Sequence, residues 1–345
     1  MSAFPSALPD WQRAYGGAKS TARIRLAYSD FEVTENLGLS PDGDGEHDFL
    51  WIEKEGQNTP WVAGLLAKFA GINPRDVGYS GLKDRHAVTR QWYSVRRPGG
   101  EKPDWSRFQA EGVRILETTR HGRKLRLGTH RSNRFRIALR EVSAPGEVVS
   151  VLVKVLEQGM PNYFGEQRFG HGARNLALAA GMFAGRRLPR NQRSIALSAA
   201  RSFLFNLVLE RRVADQTWNT LLPGDCANLD GSGSVFPVDA VDDVLLQRAA
   251  TLDLHPTGPL PGSGERIVSG AVAILEESAI AGYREIVNGL ESHRVSHSRR
   301  ALRARVSELK WQQPDDQTLW LEFTLGRGTF ATSLLRELCR ALLSQ

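Results

Sequence analysis

The chain has 345 residues, 41% hydrophobic and 24% charged, a globular composition with length for two domains and a large core. Its 45 Lys and Arg against 38 Asp and Glu leave a net charge of +7, a field that favours a polyanionic partner by steering phosphates toward the protein. Cys226 and Cys339 lie far apart without a CxxC spacing, which excludes a disulfide framework and a thiolate metal site and suits a reduced cytoplasm, and no apolar run approaches the ~20 residues that span a bilayer.

From the N-terminal end, which lacks the basic and apolar pattern of a leader, residues 21–35 alternate. Ile24 and Leu26 oppose Arg23 and Arg25, then Phe31 and Val33 oppose Glu32 and Thr34, the period of half-buried strands. Pro41 to Glu46 is an acidic, glycine-rich turn without the spacing of a calcium loop. Asn58-Thr59-Pro60 opens a helix with Thr59 as N-cap, Pro60 at the first position, apolar Trp61, Val62, Leu65, Leu66 and Phe69, and Gly71 just past its end. Val77-Gly78-Tyr79 and Gln91-Trp92-Tyr93-Ser94-Val95 read as strands, and the loop between them, from Gly81 through Lys83, Asp84 and Arg85, sets an acid between two bases. A carboxylate beside cations stays ionised, because opposite charge lowers its pKa, and this suits a nucleophile better than a general acid. On spacing alone a solvated ionic turn accounts for the same residues.

Residues 123–142 predict a β-hairpin in which Leu125, Leu127, Phe135, Ile137 and Leu139 alternate with Lys124, Arg126, Arg134, Arg136 and Arg140. So basic a face asks for an anionic partner or for acidic neighbours. A helix follows over 147–158, stopped by Gly159; residues 162–170 suit a domain junction with a secondary substrate role; 174–214 are mainly helical; 220–240 are short strands and turns; Pro256 to Gly264 predicts a conformationally fixed loop without the lysine of a P-loop. His293, Arg294, His297, Arg299, Arg300, Arg303 and Arg305 form the densest basic run, better suited to an RNA backbone than to zinc, since carboxylate and thiolate ligands are lacking around it apart from Glu291. Leu319, Leu321, Phe323 and Leu325 alternate as a strand, and a helix from Ala331 through Leu342 closes the chain.

The run Gly81 to Gln91 resembles the signature of the TruD family of tRNA pseudouridine synthases. Further blocks agree in order: Asp30 to Glu35, His47 with Asn58-Thr59, Asn133-Arg134-Phe135, Pro161 to Gly170, Pro256 to Leu260, and Gly328 to Thr332. The resemblance covers nearly the whole chain. It implies an α+β fold, a mixed, largely antiparallel pseudouridine-synthase sheet with helices, interrupted by an inserted α/β domain to form a V-shaped molecule. The expected division is a catalytic domain over 1–155 and 305–345 with the insert over 156–304.

The resemblance also implies the chemistry. Asp84 is the nucleophile or charge stabiliser, with covalent addition and a glycal route both open, and Lys83 or Arg85 holds its carboxylate ionised. Phe31, Phe135 and Phe330 supply stacking surfaces for a flipped-out uridine, and Asn133 reads the uracil edge. Lys124, Arg126, Arg134, Arg136, Arg299 and Arg300 carry the tRNA backbone. Expected with these are uridine 13 of the D arm as target, no cofactor and no metal, no membrane, a cytoplasmic location and a monomer. Two other readings use the same residues. A glycoside-cleaving hydrolase would pair Asp84 with Glu35 or Glu166, and a non-catalytic tRNA-binding module would need only the basic strands.

Overall fold

Strand alternation, one capped helix and a long helical middle build two compact units. The computed structural model describes residues 4–5, 7–97 and 103–343. An outer unit comprises Ser20–Val148, Val306–Gly328 and the described part of Cys339–Gln345; an inner unit comprises the described part of Met1–Lys19 with Val149–Arg305 and Thr329–Leu338. Where the sequence division assigns both chain ends to the outer unit, Trp11 is buried in the inner core against Tyr163 and Phe203, and Ser333 Oγ donates to the Tyr163 carbonyl at 2.9 Å. Nothing in the local pattern of either end says which core its apolar residues will enter.

The chain begins with β1 (Thr21–Ile24), β2 (Phe31–Asn36), β3 (His47–Glu55), α1 (Thr59–Phe69), β4 (Val77–Tyr79), β5 (Val88–Arg96), β6 (Val113–His121) and β7 (Ser132–Leu139). Helix α2 (Pro145–Gln158) carries it into the inner unit: β8 (Met160–Pro161), α3 (Glu166–Phe169), α4 (Arg174–Phe183), α5 (Arg190–Ala214), β9 (Asp225–Leu229), β10 (Val235–Val238), α6 (Asp243–Ala250), β11 (Leu254–Leu260), α7 (Gly270–Ile280), α8 (Arg284–Ser292), β12 (Ser298–Ala301) and β13 (Arg303–Ala304). The outer unit resumes with β14 (Ser307–Asp315) and β15 (Thr318–Gly326); α9 (Ala331–Leu338) belongs to the inner unit and β16 (Arg340–Leu343) to the outer.

The outer unit is an eight-stranded sheet in the order β14-β15-β7-β2-β5-β3-β6, with β4 also on β5. Only the β2–β5 pair of this sheet is parallel, so the mixed, largely antiparallel α+β class holds. Val62 and Leu66 of α1 bury against Leu50, Ile52 and Tyr93 on one face. In the inner unit α5 lays Phe203, Leu204, Phe205 and Leu209 into an apolar core, beside the sheet β10-β9-β11-β12.

Three expectations change. The hairpin over 123–142 does not form: Lys124 to Leu127 are irregular, Leu127 is 71% exposed, and β7 pairs with β2 and β15 instead. Two leucines separated by one residue are too short a pattern to specify a strand, and Leu125 alone inserts, beside Phe49 and Leu37. The first half of the Pro-rich tract, Pro256 to Leu260, is the buried end of strand β11, and only Pro261 to Gly264 are irregular. Prolines fit there because β11 changes partner midway: Leu254 to Pro256 face β9, Thr257 to Leu260 face β12, so the missing N–H groups of Pro256 and Pro259 do not break a continuous ladder. The closing helix ends at Leu338, and Leu342 lies in β16, which pairs in parallel with β1.

Candidate active site

The strand period places the site residues before any contact is considered. Opposite registers Phe31↔Ile137, Val33↔Phe135 and Glu35↔Asn133 put Phe31, Val33, Glu35, Asn133 and Phe135 on one face of the sheet, while Glu32, Arg134 and Arg136 share the other. Beside them, β5 is bordered by β2 only along Val88 to Arg90 and by β4 only along Tyr79's partner Tyr93 to Val95. Gln91 and Trp92 therefore lack a strand neighbour on that side, and the loop 80–87 leaves the sheet at this gap.

Side chains satisfy the gap. Glu35 Oε1 accepts from the Trp92 N–H at 3.3 Å, and Gln91 Nε2 donates to the Gly81 carbonyl at 3.0 Å. Thr59 Oγ1 accepts from the Lys83 N–H at 3.0 Å and donates to Gln91 Oε1 at 2.9 Å. Thr59 is thus not the cap of α1; Asn58 occupies that position, and the Thr59 hydroxyl is turned to the loop. The whole loop is tethered by buried donors and acceptors.

On it, Asp84 has a side chain 31% exposed, and its Oδ2 lies 3.3 Å from Arg25 Nη2. This corrects the expectation that Lys83 or Arg85 pairs with Asp84. Lys83 points inward to the buried Glu35, Nζ to Oε2 at 2.7 Å, where the Ser80 hydroxyl also donates; Arg85 Nε donates to the Gly56 carbonyl at 3.0 Å. Successive side chains of an extended loop diverge, so sequence neighbours are poor charge partners.

Arg25 has φ of 61°, in the left-handed region that a non-glycine residue enters at a cost of about 1–3 kcal/mol. The turn ends β1 at Ile24, exposes Leu26, and sends the guanidinium over the Phe31 ring, 4.1 Å from its centroid, to reach Asp84. Phe31 packs edge-on to Phe135 at 6.3 Å, and Phe135 stacks on Phe323 at 5.2 Å. Asn133 Oδ1 is buried without a hydrogen-bond partner, an acceptor held ready on the same sheet face. Behind the loop, Lys54 Nζ donates to the Asp84 carbonyl at 2.9 Å and to the Gln57 carbonyl at 2.8 Å. The His130 ring stands beside Gly81 and is kept below the usual histidine range, chiefly by burial and then by Lys83.

Arg25 and Lys54 escape a sequence reading. Arg25 falls in an apparent strand alternation, and the signal for Lys54 is a cation in the apolar register of Leu50 and Ile52. Glu35, a second carboxylate in the hydrolase reading, is committed to Lys83, Ser80 and Trp92, and Glu166 lies in the inner unit.

The expected backbone contacts separate into two groups. Arg134 pairs with Glu322 at 2.9 Å, and Arg136 with Glu32 at 2.9 Å while lying 3.8 Å over the Trp320 ring. The acidic neighbours that the basic face calls for are therefore the flanking strands of its own sheet. Lys124 Nζ donates to the Arg75 carbonyl, and Arg126 is exposed. In the inner unit the run at 293–305 is not an open patch. Arg299 is 2% exposed and grips Glu276 at 2.5 Å, and Arg303 is buried on His255 and the carbonyls of Ala249 and Leu254. Strand β12 turns Arg299 inward, so it is corrected from RNA contact to internal ion pair. Arg300 donates to Asn162 Oδ1 at 2.5 Å and lies 4.1 Å over Phe164; burial and then Arg168 pull its pKa down to about 9. Phe330, also inner, packs with Phe164 at 6.1 Å. Among the described residues no group of His, Cys, Asp and Glu could hold a metal, and no helix is long and apolar enough to cross a membrane.

Comparison with known proteins adds a second line of observation. A family model described as tRNA pseudouridine synthase D (TruD) matches residues 14–182 and 177–338. A tRNA pseudouridine synthase D of Methylococcus capsulatus is 46% identical over 332 residues, covering 95% of this chain and 94% of that protein. One of Aeromonas hydrophila is 43% identical over 333 residues, covering 96% and 94%. The crystal structure of a TruD from Methanosarcina mazei superposes with a TM-score of 0.71 at 20% identity, over 98% of this chain and 96% of that one, a likeness of fold.

Proposed function

The chain belongs to the tRNA pseudouridine synthase D (TruD) family, and from that premise we propose that its reaction turns on Asp84. The protein is an isomerase that converts uridine to pseudouridine in tRNA. The reaction breaks the N1 bond to the ribose, turns the uracil, and rejoins it through C5, whose proton is released. The observation that carries the assignment is a partly exposed carboxylate, paired with Arg25, on a loop tethered by Thr59, Gln91 and Lys54.

Arg25 aims that carboxylate and sets a positive charge beside it, whether it acts by covalent attack or by stabilising the charge of a glycal route. The target uridine leaves its stack, since the attacked sugar carbon and the turning ring need a pocket closed to water. Phe31 and Phe135, buried on one sheet face, back that pocket, and the buried, unpartnered Oδ1 of Asn133 is the acceptor for the uracil N3–H once the base is seated. The stacking role of Phe330 rests on the family resemblance. So do uridine 13 of the D arm, the outer unit as catalytic domain with the inner as insert, the absence of a cofactor, monomeric action and a cytoplasmic location. Exposed Arg126 and the sheet's arginine ladder carry the backbone, whereas Arg300 is held internally on Asn162 and Phe164 and is withdrawn from that role.

The test is release of tritium from tRNA labelled at C5 of uridine, with tRNA binding measured in parallel. Asp84→Asn is expected to lower release by about 10³-fold or more while still binding tRNA. Unchanged release would remove Asp84 from the reaction. Free uracil as product would favour the hydrolase, and binding by wild type without release from any tRNA would favour the non-catalytic module.

A further inference from the structure

Lys54 occupies a position where the strand pattern calls for an apolar side chain. Leu50, Ile52 and Lys54 project to one face of β3, under α1, and all three are fully buried. Its strand neighbours across the sheet, Thr89 on β5 and Val113 on β6, carry no charge. A buried ammonium is costly unless its protons are received. Here two of the three are received, by the carbonyls of Gln57, at the turn before α1, and of Asp84 itself.

We propose that Lys54 is a positioning residue for the isomerisation: by tying the Asp84 carbonyl to the Gln57 turn it fixes the direction in which the Asp84 carboxylate leaves the loop, and it sets a second positive charge behind the one that Arg25 supplies. The inference rests on Asp84 being the reacting carboxylate. A loop of eight residues between two strands has freedom to shift by an ångström, and a shift of that size at a reacting group costs orders of magnitude in rate. Burial pulls the Lys54 pKa down to about 8; the Asp84 carboxylate works against that shift and Lys83 works with it. The charge behind Asp84 is therefore present at neutral pH and disappears as the medium becomes mildly alkaline.

The experiment measures kcat and KM by C5-tritium release between pH 6.5 and 9 for wild type, Lys54→Met, Lys54→Arg and Asp84→Asn, with tRNA binding and thermal melting for each. For Lys54→Met the expected result is a kcat lowered by about 10–100-fold with KM unchanged and a profile without the wild type's decline near pH 8. Lys54→Arg, which keeps its charge, is expected to recover part of the rate and to hold it through pH 9. A wild-type kcat in folded Lys54→Met, or a loss expressed only in KM or melting temperature, overturns the proposal. Should Lys54→Met fail to fold, Lys54→Arg decides: a decline near pH 8 identical to wild type overturns it. Full activity in Asp84→Asn would instead bring down the premise, and is read in the same assay.

Discussion

Glu337 shows how a single carboxyl makes stability depend on pH. It lies on α9, accepts from the Ala14 N–H at 2.9 Å, and is 2% exposed. Burial raises its pKa to about 7, outweighing Arg336 and the hydrogen bonds that favour the anion. Between the ordinary carboxylate value and 7 the folded state holds a proton that the unfolded chain has released, so this group's contribution falls as pH rises through that window. Glu337→Gln, which keeps an acceptor for Ala14, is expected to raise stability at pH 8 by about 1–2 kcal/mol and to leave it unchanged at pH 4.5, as read from urea unfolding. His297 acts in the opposite sense: burial first, then Arg299, lowers its pKa to about 4, so its contribution is lost as pH falls below the usual histidine value. At this scale the charged triplet that holds Asp84 was legible in the loop, while the role proposed for Asp84 comes from the family resemblance, since spacing alone fits a solvated ionic turn equally. The partners of Asp84 were not legible, because Arg25 reaches it only through a left-handed turn and Lys54 only through strand pairing.

For elements, local pattern sufficed where local energetics decide. Helix α1 begins where Pro60 allows and ends before Gly71, whose φ of 65° suits glycine, and β4 and β5 flank the loop as their β-branched and aromatic residues require. It failed where a partner decides, as in β11, whose prolines read as a loop until the divided pairing with β9 and β12 is known. Thr59 shows how an element's end serves its neighbour. Replacing it with the isosteric Val removes the acceptor of the buried Lys83 N–H and leaves Gln91 Oε1 with only the long bond from the Tyr93 hydroxyl at 3.4 Å. Thr59→Val is expected to cost about 1–3 kcal/mol in chemical denaturation and to lower kcat, whereas a cost near zero would mean that the loop finds other acceptors.

At the scale of the molecule, each unit has its own core, and each is expected to show its own unfolding transition in calorimetry. The inner unit offers the discriminating variant. Arg212 of α5 is buried in a two-pronged pair with Asp225 of β9, at 3.0 and 2.9 Å, with further bonds to the carbonyls of Thr217 and Thr220. Arg212→Met leaves Asp225 buried without its counter-charge and is expected to destabilise by about 3–5 kcal/mol, lowering one transition and leaving the other in place. Equal movement of both would show a single cooperative molecule. The two-unit plan was legible as strand-rich ends around a helical middle, but the membership of residues 4–19 and 329–338 was not, because it is settled by burial of residues such as Trp11 in a distant core.

The pairing of β7 with β15, Leu139 beside Leu319, has a consequence for how the chain is made. During synthesis β7 leaves the ribosome long before β15 exists, so the edge that β15 will cover has no native neighbour while residues 140–317 are being translated. An unpaired edge invites pairing with other chains. Condensation of the intervening stretch, whose ends meet where β8 pairs with β13, shortens the closure that β15 must complete. The timing of that stretch's folding thereby sets how long the sheet that carries Asp84 keeps an open edge.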